Sequence, residues 1–292
     1  MPLCGARIRV RIWCFTPNPV LEKKICVTSG RVTWSAGGKA HNTARQLHAW
    51  GVPVCSVIAC SGETARHWRK QARIEGVKTV QIPVEAPMRQ GWAWVHEGTE
   101  RMDFFTRDPK INLRDWARMG NFWLRTLRKG DVWVVAGSSA KGWPKGWWNN
   151  LILNLQKKGV TVLVDSRGAL LQEAVQAGAD WIKCNLEEAE GTTEKKCVGV
   201  CLTKLFGEGT TGVVVTLGED GLQAEVNGTR IFIPAPKVKV KDATGSGDVV
   251  TAVLIYGEIY GWTIERTLRA ATRAGARKAG GIENVAKSVL WS

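Results

Sequence analysis

Residues 242–248 combine the residue types that phosphoryl transfer requires. They read Asp-Ala-Thr-Gly-Ser-Gly-Asp and lead directly into residues 249–256, an apolar run typical of a buried helix. Glycines let backbone N–H groups approach a ligand closely, and a helix N-terminus attracts anions. The aspartate that ends the motif, Asp248, could accept a proton from an attacking hydroxyl group. The segment therefore predicts either a phosphoryl-transfer site or an ordinary loop with an aspartate near a helix cap.

The composition is that of a globular protein with a large core. The chain has 292 residues, of which 44% are hydrophobic and 23% are charged. A single α/β domain fits this length. No apolar run approaches the roughly 18 residues that a membrane span requires. The first 15 residues alternate arginine with apolar residues, unlike a signal peptide, so we expect a cytoplasmic protein.

The net charge of +15 is compatible with anionic small substrates or with nucleic acid. The basic residues are scattered, and the two clusters at residues 66–73 and 266–278 have helical spacing. Such spacing favours solvated helix faces over a nucleic-acid site. The sequence therefore makes nucleic acid an unexpected partner.

The spacing of the cysteine residues gives no sign of a metal site. The eight cysteines form no Cys-x-x-Cys pair and do not cluster with the four histidines, so we expect small buried residues rather than zinc ligands or disulfides.

Fifteen tryptophans are unusual, and Trp143, Trp147 and Trp148 crowd one segment. These tryptophans could fill the core or mark a partner surface, and the sequence leaves both open.

Short β-rich runs alternate with helical patterns through most of the chain. The runs at residues 131–136 and 212–216 are almost continuously apolar, which is typical of parallel strands covered on both faces. The alternation predicts βαβ units and an α/β fold with a doubly wound, mostly parallel sheet. The predicted strands are 7–15, 52–60, 131–136, 160–164, 181–184 and 212–216, and the predicted helices are 38–51, 63–75, 147–158 and 170–177.

Two segments break this alternation and predict a small second sheet. Residues 25–36 and 91–106 are extended, with turn signals at Ser29-Gly30 and Glu97-Gly98 and no helix inside either segment. We expect these strands to form a lid over a ligand site. Asn227-Gly228 predicts a further hairpin of type I′.

Polar and basic side chains follow several predicted strands. Ligands of doubly wound sheets bind beyond the carboxyl ends of the strands. Lys39, Arg89 and Lys183 are the cations at such positions or at lid junctions. A phosphate-binding Gly-x-x-x-x-Gly-Lys-Ser/Thr motif and a Gly-x-Gly-x-x-Gly motif after the first strand are both absent from the sequence. Exposed lysines are common, so these cations alone do not establish a site.

Two motifs about 200 residues apart resemble the signatures of the PfkB, or ribokinase-like, carbohydrate kinases. They are Gly37-Gly38-Lys39-Ala40-His41-Asn42-Thr43-Ala44 and residues 242–248. Residues 16–22 resemble the branch that phosphorylates sugar phosphates, which includes 1-phosphofructokinase, tagatose-6-phosphate kinase and the minor 6-phosphofructokinase. Further landmarks follow in the family's order: Gly137-Ser138, Asp165-Ser166-Arg167-Gly168, Lys183-Cys184-Asn185 with Glu188, and residues 216–221.

The resemblance implies a ribokinase-like domain over residues 1–292 and a role for each matched residue. Asp248 would be the general base, and the backbone of Gly245, Ser246 and Gly247 would hold the transferring phosphate. Glu188 would influence a magnesium ion indirectly, so ATP and Mg²⁺ are the expected cofactors. The residues implied for the sugar phosphate are Glu22, Gly38, Lys39, Asn42, Arg89 and Ser138. The residues implied for ATP are Lys183, Asn185, Thr216, Gly218 and Gly221.

Three departures from the family pattern affect the fit of ligands. Glu22 replaces an aspartate that contacts sugar hydroxyls, Ala40-His41 replaces a glycine and an aliphatic residue, and Cys184 replaces a proline. None removes the general base or the glycines beside it. We therefore expect an active kinase.

The sequence thus predicts an ATP-dependent kinase for a ketohexose phosphate, with fructose 1-phosphate as the first candidate and fructose 1,6-bisphosphate as its product. Tagatose 6-phosphate, fructose 6-phosphate, and a neutral sugar or nucleoside are the alternative substrates. A non-catalytic binder of phosphosugars or nucleic acid is the alternative of another class. Pairing of two chains through the lid is expected for the family.

Overall fold

The computed structural model describes residues 10–96, 99–282 and 284–291, and within these a nine-stranded sheet forms the centre of the molecule. Its strands are β1 (Ile12–Thr16), β4 (Val54–Ser61), β5 (Lys78–Pro87), β8 (Val132–Ala136), β9 (Thr161–Asp165), β10 (Trp181–Asn185), β11 (Gly212–Thr216), β12 (Leu222–Val226) and β13 (Thr229–Ile233). Their order in the sheet is β13-β12-β11-β10-β9-β8-β1-β4-β5, and the strands from β11 to β5 are parallel.

Helices cover both faces of this sheet, as expected for parallel strands that are apolar on both sides. Strand β8 is buried at every position, and hydrophobic clusters lie on both faces of the sheet. The doubly wound α/β fold predicted from the sequence is therefore confirmed. The helices are α1 (Lys39–Ala49), α2 (Gly62–Ile74), α3 (Leu113–Thr126), α4 (Trp147–Lys157), α5 (Gly168–Gln176), α6 (Leu186–Thr193), α7 (Val198–Leu205), α8 (Ser246–Ile259) and α9 (Ile264–Ala279).

A second sheet of four strands is present in the described part of the chain. It consists of β2 (Val20–Cys26), β3 (Val32–Gly37), β6 (Arg89–His96) and β7 (Thr99–Phe105), in the order β3-β2-β6-β7. Its hairpins are antiparallel, and β2 and β6 pair in parallel. Strand β2 begins at Val20, earlier than the predicted start near residue 25. The predicted turn at Glu97-Gly98 lies outside the described residues.

The tryptophans mostly fill the core. Trp116, Trp123, Trp133 and Trp148 are completely buried and contact one another in edge-to-face, tilted or stacked pairs. Such aromatic pairs stabilise a core beyond the area that they bury. The crowded tryptophans near residue 145 thus belong to the packing of α3 and α4 against the sheet rather than to a partner surface.

Several elements differ from the sequence prediction. The first strand begins at Ile12, and residues 7–9 of the predicted strand lie outside the described residues. Strand β5 and helix α3 were not predicted; β5 contains prolines that argue against a central strand, and it lies at the sheet edge, where proline is tolerated. Cys197 is exposed, whereas the sequence favoured burial. Within the described residues, helices that could cross a membrane are absent.

Candidate active site

Helix α8 begins at the motif on which the sequence prediction rests. Gly245 adopts a left-handed conformation (φ 78°) and caps the helix without a side-chain hydrogen bond. The amide of Ser246 donates to Ala243 O (3.1 Å) and that of Asp248 to Gly245 O (3.1 Å), whereas among the described residues the amides of Gly245 and Gly247 have no acceptor. The Ser246 Oγ is also buried without a partner in this part of the chain. The turn therefore retains donors that fit an anion.

Asp248 lies in the first turn of α8 and is buried (5% exposed). Asn42 of α1 donates from Nδ2 to Asp248 Oδ2 (2.8 Å), and Thr43 Oγ1 donates to the Asp248 carbonyl (3.2 Å). Burial and the nearby Asp165 carboxylate raise the pKa of Asp248, while Asn42, Lys183 and Lys39 oppose that rise. A carboxylate with one oxygen anchored and a raised pKa has the properties of a general base.

Asp165 organises the cations behind Asp248. It ends β9, is completely buried, and binds Lys183 Nζ through Oδ2 (3.1 Å) and Lys39 Nζ through Oδ1 (3.5 Å). Burial opposes its ionisation, but Lys183 and Lys39 hold the pKa of Asp165 below its usual value. Lys39 also contacts Glu188 Oε1 (2.8 Å). Burial lowers the pKa of Lys39, and the stronger combined effect of Asp165 and Glu188 raises it, so Lys39 remains charged.

Asn185 and Glu188 form a capping box at the start of α6. Asn185 Oδ1 accepts from the Glu188 amide (2.7 Å), and Glu188 Oε2 accepts from the Asn185 amide (3.0 Å). This reciprocal pair satisfies two helix donors and fixes the glutamate side chain. The Asn-x-x-Glu spacing is therefore the spacing of a helix cap. The cap uses Glu188 Oε2, so the other carboxylate oxygen, Oε1, can bind Lys39.

A second polar cluster joins the ends of β1, β6 and β8. Asn18 Nδ2 donates to Asp108 Oδ1 (2.8 Å) and to Ser138 Oγ (3.3 Å), and Arg89 Nη1 donates to the same Asp108 oxygen (2.7 Å). Burial opposes ionisation of Asp108, but bonds from Asn18 and Arg89 hold its pKa below the usual value. Arg89 Nε and Asn18 Oδ1 are buried without partners in the described structure.

The two clusters meet at Gly137. If this glycine had a Cβ atom, that atom would lie 3.7 Å from Lys39 Cβ. The structure therefore groups Lys39, Asn42, Lys183, Glu188 and Asp248 directly, and places Arg89 and Ser138 in the neighbouring cluster. Lys39 faces Asp165 and Glu188 rather than Arg89. This position lies between the sites that the resemblance implies for the sugar phosphate and for ATP.

A cleft of about 830 Å³ lies between the small sheet and helices α1 and α8. Glu22 of β2 lies in it and accepts a hydrogen bond from Ser35 Oγ (3.4 Å). Gly38 approaches β1 so closely that an added Cβ would meet Thr16 Cγ2 at 2.5 Å. The cleft also borders Asn42 of α1 and Asp248 of α8, so side chains of the small sheet and of these two helices face one space.

Thr216, Gly218 and Gly221 lie at the carboxyl end of β11. Thr216 pairs with Asn185 in the sheet register, which brings the two predicted nucleotide residues side by side. Gly221 has φ 111°, and an added Cβ would lie 2.1 Å from Ile233 O. Close packing of the β12–β13 hairpin therefore explains Gly221, whereas Gly218 (φ 63°) has open space around it.

His41 stands where the family pattern has an aliphatic residue, and it forms a buried polar network. Its Nδ1 contacts Ser56 Oγ (2.9 Å) and its Nε2 contacts Glu75 Oε2 (2.7 Å), and its ring packs on Trp68. Burial lowers the pKa of His41, against the opposing effect of Glu75. Both ring nitrogens have partners, so His41 ties α1 to β4 and α2. Cys184 is completely buried in β10.

The acidic groups fit a magnesium ion held mainly by nucleotide phosphates. Clusters of three or more metal-ligating side chains are absent from the described residues. Magnesium commonly takes one or two carboxylates and completes its shell with phosphates and water. Glu188 is the carboxylate that matches the expected indirect role.

Sequence reasoning did not assign Asp108 or Thr251 to the site. Thr251 Oγ1 donates to Asp165 Oδ2 (2.7 Å) and lies one helical turn after Gly247. The bond to Gly247 O is one that threonine commonly makes within a helix, so the sequence held no signal for the contact with Asp165. Asp108 follows no motif, and only the fold brings it to Arg89, 19 residues away.

Comparisons with known proteins agree with this geometry. Residues 10–281 match the family described as pfkB family carbohydrate kinase. The tagatose-6-phosphate kinase of Staphylococcus epidermidis is 24% identical over 253 residues, which cover 84% of this chain and 81% of that protein.

Solved structures show the same fold. The tetrameric inhibited form of phosphofructokinase-2 from Escherichia coli superposes with a TM-score of 0.87 at 21% identity, covering 97% of both chains. A possible 1-phosphofructokinase from Thermotoga maritima superposes with a TM-score of 0.81 at 18% identity, covering 96% of both chains.

Proposed function

Because the chain belongs to the pfkB family of carbohydrate kinases, we propose that it transfers the γ-phosphoryl group of ATP to a hydroxyl group of a ketohexose phosphate. The observation that carries the proposal is the buried Asp248 carboxylate. It is anchored by Asn42 beside the amides of Gly245 and Gly247, which have no acceptor in the described structure, and it borders the cleft. A base and an anion site thus lie within one helical turn.

In the proposed reaction, the sugar hydroxyl oxygen attacks the γ-phosphorus while Asp248 accepts the hydroxyl proton. The bond between the γ-phosphorus and the bridging oxygen breaks, and ADP leaves with that oxygen's negative charge. Phosphoryl transfer depends mainly on positioning and on stabilising the phosphate charge. The amides of Gly245 and Gly247 and the ammonium of Lys39 supply that stabilisation.

A phosphorylated substrate is supported by the second polar cluster. Arg89 has an unpartnered Nε donor that is buried in the described structure. A guanidinium group binds phosphate well, and a neutral sugar would add no charged partner to the Asp108 ion pair and the Phe105 ring that this arginine already contacts. The names of the relatives, tagatose-6-phosphate kinase and phosphofructokinase-2, also belong to sugar-phosphate kinases.

The nucleotide is assigned to the neighbouring strand ends, with Asn185, Thr216 and Gly218 as its contacts. A magnesium ion bound to ATP would neutralise charge on the phosphates, and Glu188 would contribute to its position indirectly. Lys39 lies against Glu188 and Asp165 and would face the phosphates from the sugar side. The small sheet would serve as a lid that excludes water from the cleft during transfer.

A substrate panel tests the proposal. ADP formation is measured with fructose 1-phosphate, tagatose 6-phosphate, fructose 6-phosphate, ribose and adenosine, each at saturating ATP and magnesium. We expect turnover with at least one ketohexose phosphate, fructose 1-phosphate being the first candidate, and little with ribose or adenosine. Preference for ribose or adenosine would contradict the proposal. Steeply salt-dependent nucleic-acid binding without any ATP consumption would favour a non-catalytic binder instead.

A further inference from the structure

Asp108 is a carboxylate inside the cluster that we expect to bind the phosphate of the substrate. Its Oδ1 accepts hydrogen bonds from Arg89 Nη1 (2.7 Å) and from Asn18 Nδ2 (2.8 Å). Asn18 also donates to Ser138 Oγ, so Asp108 and Asn18 connect the two residues of this cluster that the resemblance implies for the sugar phosphate. A negative charge repels a phosphate group, and a carboxylate in an anion site therefore requires an explanation.

Asp108 is ionised at neutral pH. Burial opposes its ionisation, but the bonds from Asn18 and Arg89 and the positive charges of Arg89 and Lys141 hold the pKa of Asp108 below its usual value. The backbone of Lys141 is joined to the loop of Asp108 by two hydrogen bonds of 2.9 Å, which keep this lysine nearby. Arg89 therefore has a full negative charge beside it before any substrate binds.

Arg89 has supports other than Asp108. It begins strand β6, where it pairs with Val20 of β2, and its guanidinium lies over the Phe105 ring, with 4.9 Å between Cζ and the ring centre. The side chain is only 18% exposed. Packing and a cation–π contact thus restrict the guanidinium independently of the carboxylate.

The contact between Arg89 and Asp108 joins one nitrogen to one oxygen. Arginine binds a carboxylate most strongly through two parallel hydrogen bonds. In the described structure the pair lacks this second bond, and Arg89 Nε is buried without an acceptor. The ion pair therefore leaves donors of Arg89 for a second anion, which would lie close to the Asp108 carboxylate.

We propose that Asp108 sets the affinity of the phosphate subsite: its carboxylate neutralises part of the charge of Arg89 and repels the phosphate of the substrate, so that a phosphate binds firmly only when the attached sugar also makes contacts. The inference rests on the proposed function, since it concerns the same substrate. Inorganic phosphate and other small anions lack a sugar and are thereby kept from filling the site. Removal of the carboxylate strengthens the binding of phosphate-bearing ligands.

The alternative is that Asp108 holds Arg89 in place for the phosphate, and two variants separate the roles. Asp108→Asn removes the charge but keeps an oxygen that can accept from Arg89 and Asn18, whereas Asp108→Ala also removes that acceptor. Repulsion predicts tighter binding of the sugar phosphate in both variants. A positioning role predicts weaker binding in Asp108→Ala and no gain in Asp108→Asn.

We expect the KM for the best ketohexose phosphate to fall about tenfold in Asp108→Asn and in Asp108→Ala, because one unfavourable charge interaction is lost. The values of kcat and of the KM for ATP should change by less than about threefold, since the repulsion acts equally on the bound substrate and on the transition state. A KM for the sugar phosphate that stays the same or rises in either variant would overturn the inference and leave the proposed function intact.

Glu265→Gln is the matched control for these variants. It changes the net charge by the same amount, and Glu265 is an exposed residue of α9 that pairs with Arg269. It lies beside the C-terminal half of α8, where Thr267 packs against Gly257, whereas the proposed site is at the N-terminus of α8. We expect this variant to keep the wild-type KM for the sugar phosphate.

Titration calorimetry with inorganic phosphate, in the absence of nucleotide, gives a readout without turnover. The Kd for phosphate should be about tenfold lower in Asp108→Asn than in wild type, and adding Arg89→Ala should abolish this gain. An equal Kd in Asp108→Asn and wild type, or a gain that persists without Arg89, would overturn the inference. Absence of turnover by wild type on every ketohexose phosphate would overturn the proposed function, and the phosphate titration distinguishes that failure because it needs no turnover.

Discussion

At the scale of single residues, the site depends on pairs of charges that modify one another. Asp248 has Asn42 on one oxygen, and Asp165, Lys183 and Lys39 surround it electrostatically. The sequence identified Asp248 because a glycine-rich motif and a helix start coincide there. It could not identify the partners as a network, because Asn42 lies 206 residues from Asp248 along the chain. Only the folded sheet brings the two together.

The pH dependence of kcat/KM should respond to these neighbours in opposite directions. The general base must be ionised, so kcat/KM falls as the pH drops below the pKa of Asp248. Asn42 lowers that pKa and Asp165 raises it. Asn42→Ala should therefore move the acid limb to higher pH, and Asp165→Asn should move it to lower pH. Initial rates across the acid range measure both limbs, and shifts in the same direction would contradict the assigned base.

Arg89 should act on substrate binding rather than on the transfer step. Its guanidinium binds Asp108 and retains an unpartnered Nε in the described structure. We expect Arg89→Ala to raise the KM for the sugar phosphate at least about tenfold, the loss typical of one charge-assisted contact, with a smaller effect on kcat. Arg11→Ala removes an arginine paired with Asp131 at the amino ends of β1 and β8, opposite the carboxyl ends where the site lies, and serves as the control. A change confined to the KM for ATP would contradict the assignment.

At the scale of secondary structure, periodicity located most elements and local chemistry explains the rest. The hairpin at Asn227-Gly228 was predicted and is present, with both residues at positive φ. Strand β5 was not predicted because Pro83 interrupts its run of strand-forming residues. The proline is tolerated because β5 lies at the edge of the sheet. The capping box of Asn185 and Glu188 was visible in the spacing but was interpreted only as a ligand motif.

Gly221 and Gly218 lie at the end of β11, and we expect packing to require glycine at position 221 but not at position 218. Gly221→Ala should destabilise the protein by about 3 kcal/mol, because it combines a strained φ with a Cβ 2.1 Å from Ile233 O. Gly218→Ala has a positive φ but open surroundings and should cost about 1 kcal/mol. Urea unfolding measures both changes. Equal destabilisation would show that packing against β13 is not what requires glycine at position 221.

At the scale of the whole molecule, the fold class followed from the sequence, whereas the shape of the cleft did not. Apolar strands alternating with helices were sufficient to predict a doubly wound sheet. The cleft of about 830 Å³ arises because β2 and β6, which are separated by 62 residues between Cys26 and Arg89, pair in parallel beside the main sheet. Pairing over such distances depends on the complete fold rather than on any local pattern.

The outer surface of the small sheet predicts association of two chains. Large apolar side chains are exposed there, including Phe104 (58%) and Val32 (45%). Exposed apolar patches often mark protein interfaces. We expect the wild-type protein to sediment as a dimer at micromolar concentration and Phe104→Glu to shift it towards monomer. Phe232→Glu, at an equally exposed phenylalanine on β13, is the control, and a monomeric wild type would contradict this expectation.

The proposed reaction depends on the Asp248 carboxylate, which accepts the proton of a sugar hydroxyl during phosphoryl transfer from ATP. The most direct test compares kcat and ATP affinity of wild type and Asp248→Asn with the best ketohexose phosphate. We expect kcat of Asp248→Asn to fall about 10³-fold, within the range expected for loss of a general base, while the Kd for a non-hydrolysable ATP analogue changes by less than about threefold. Wild-type kcat in Asp248→Asn would show that this carboxylate is not the base.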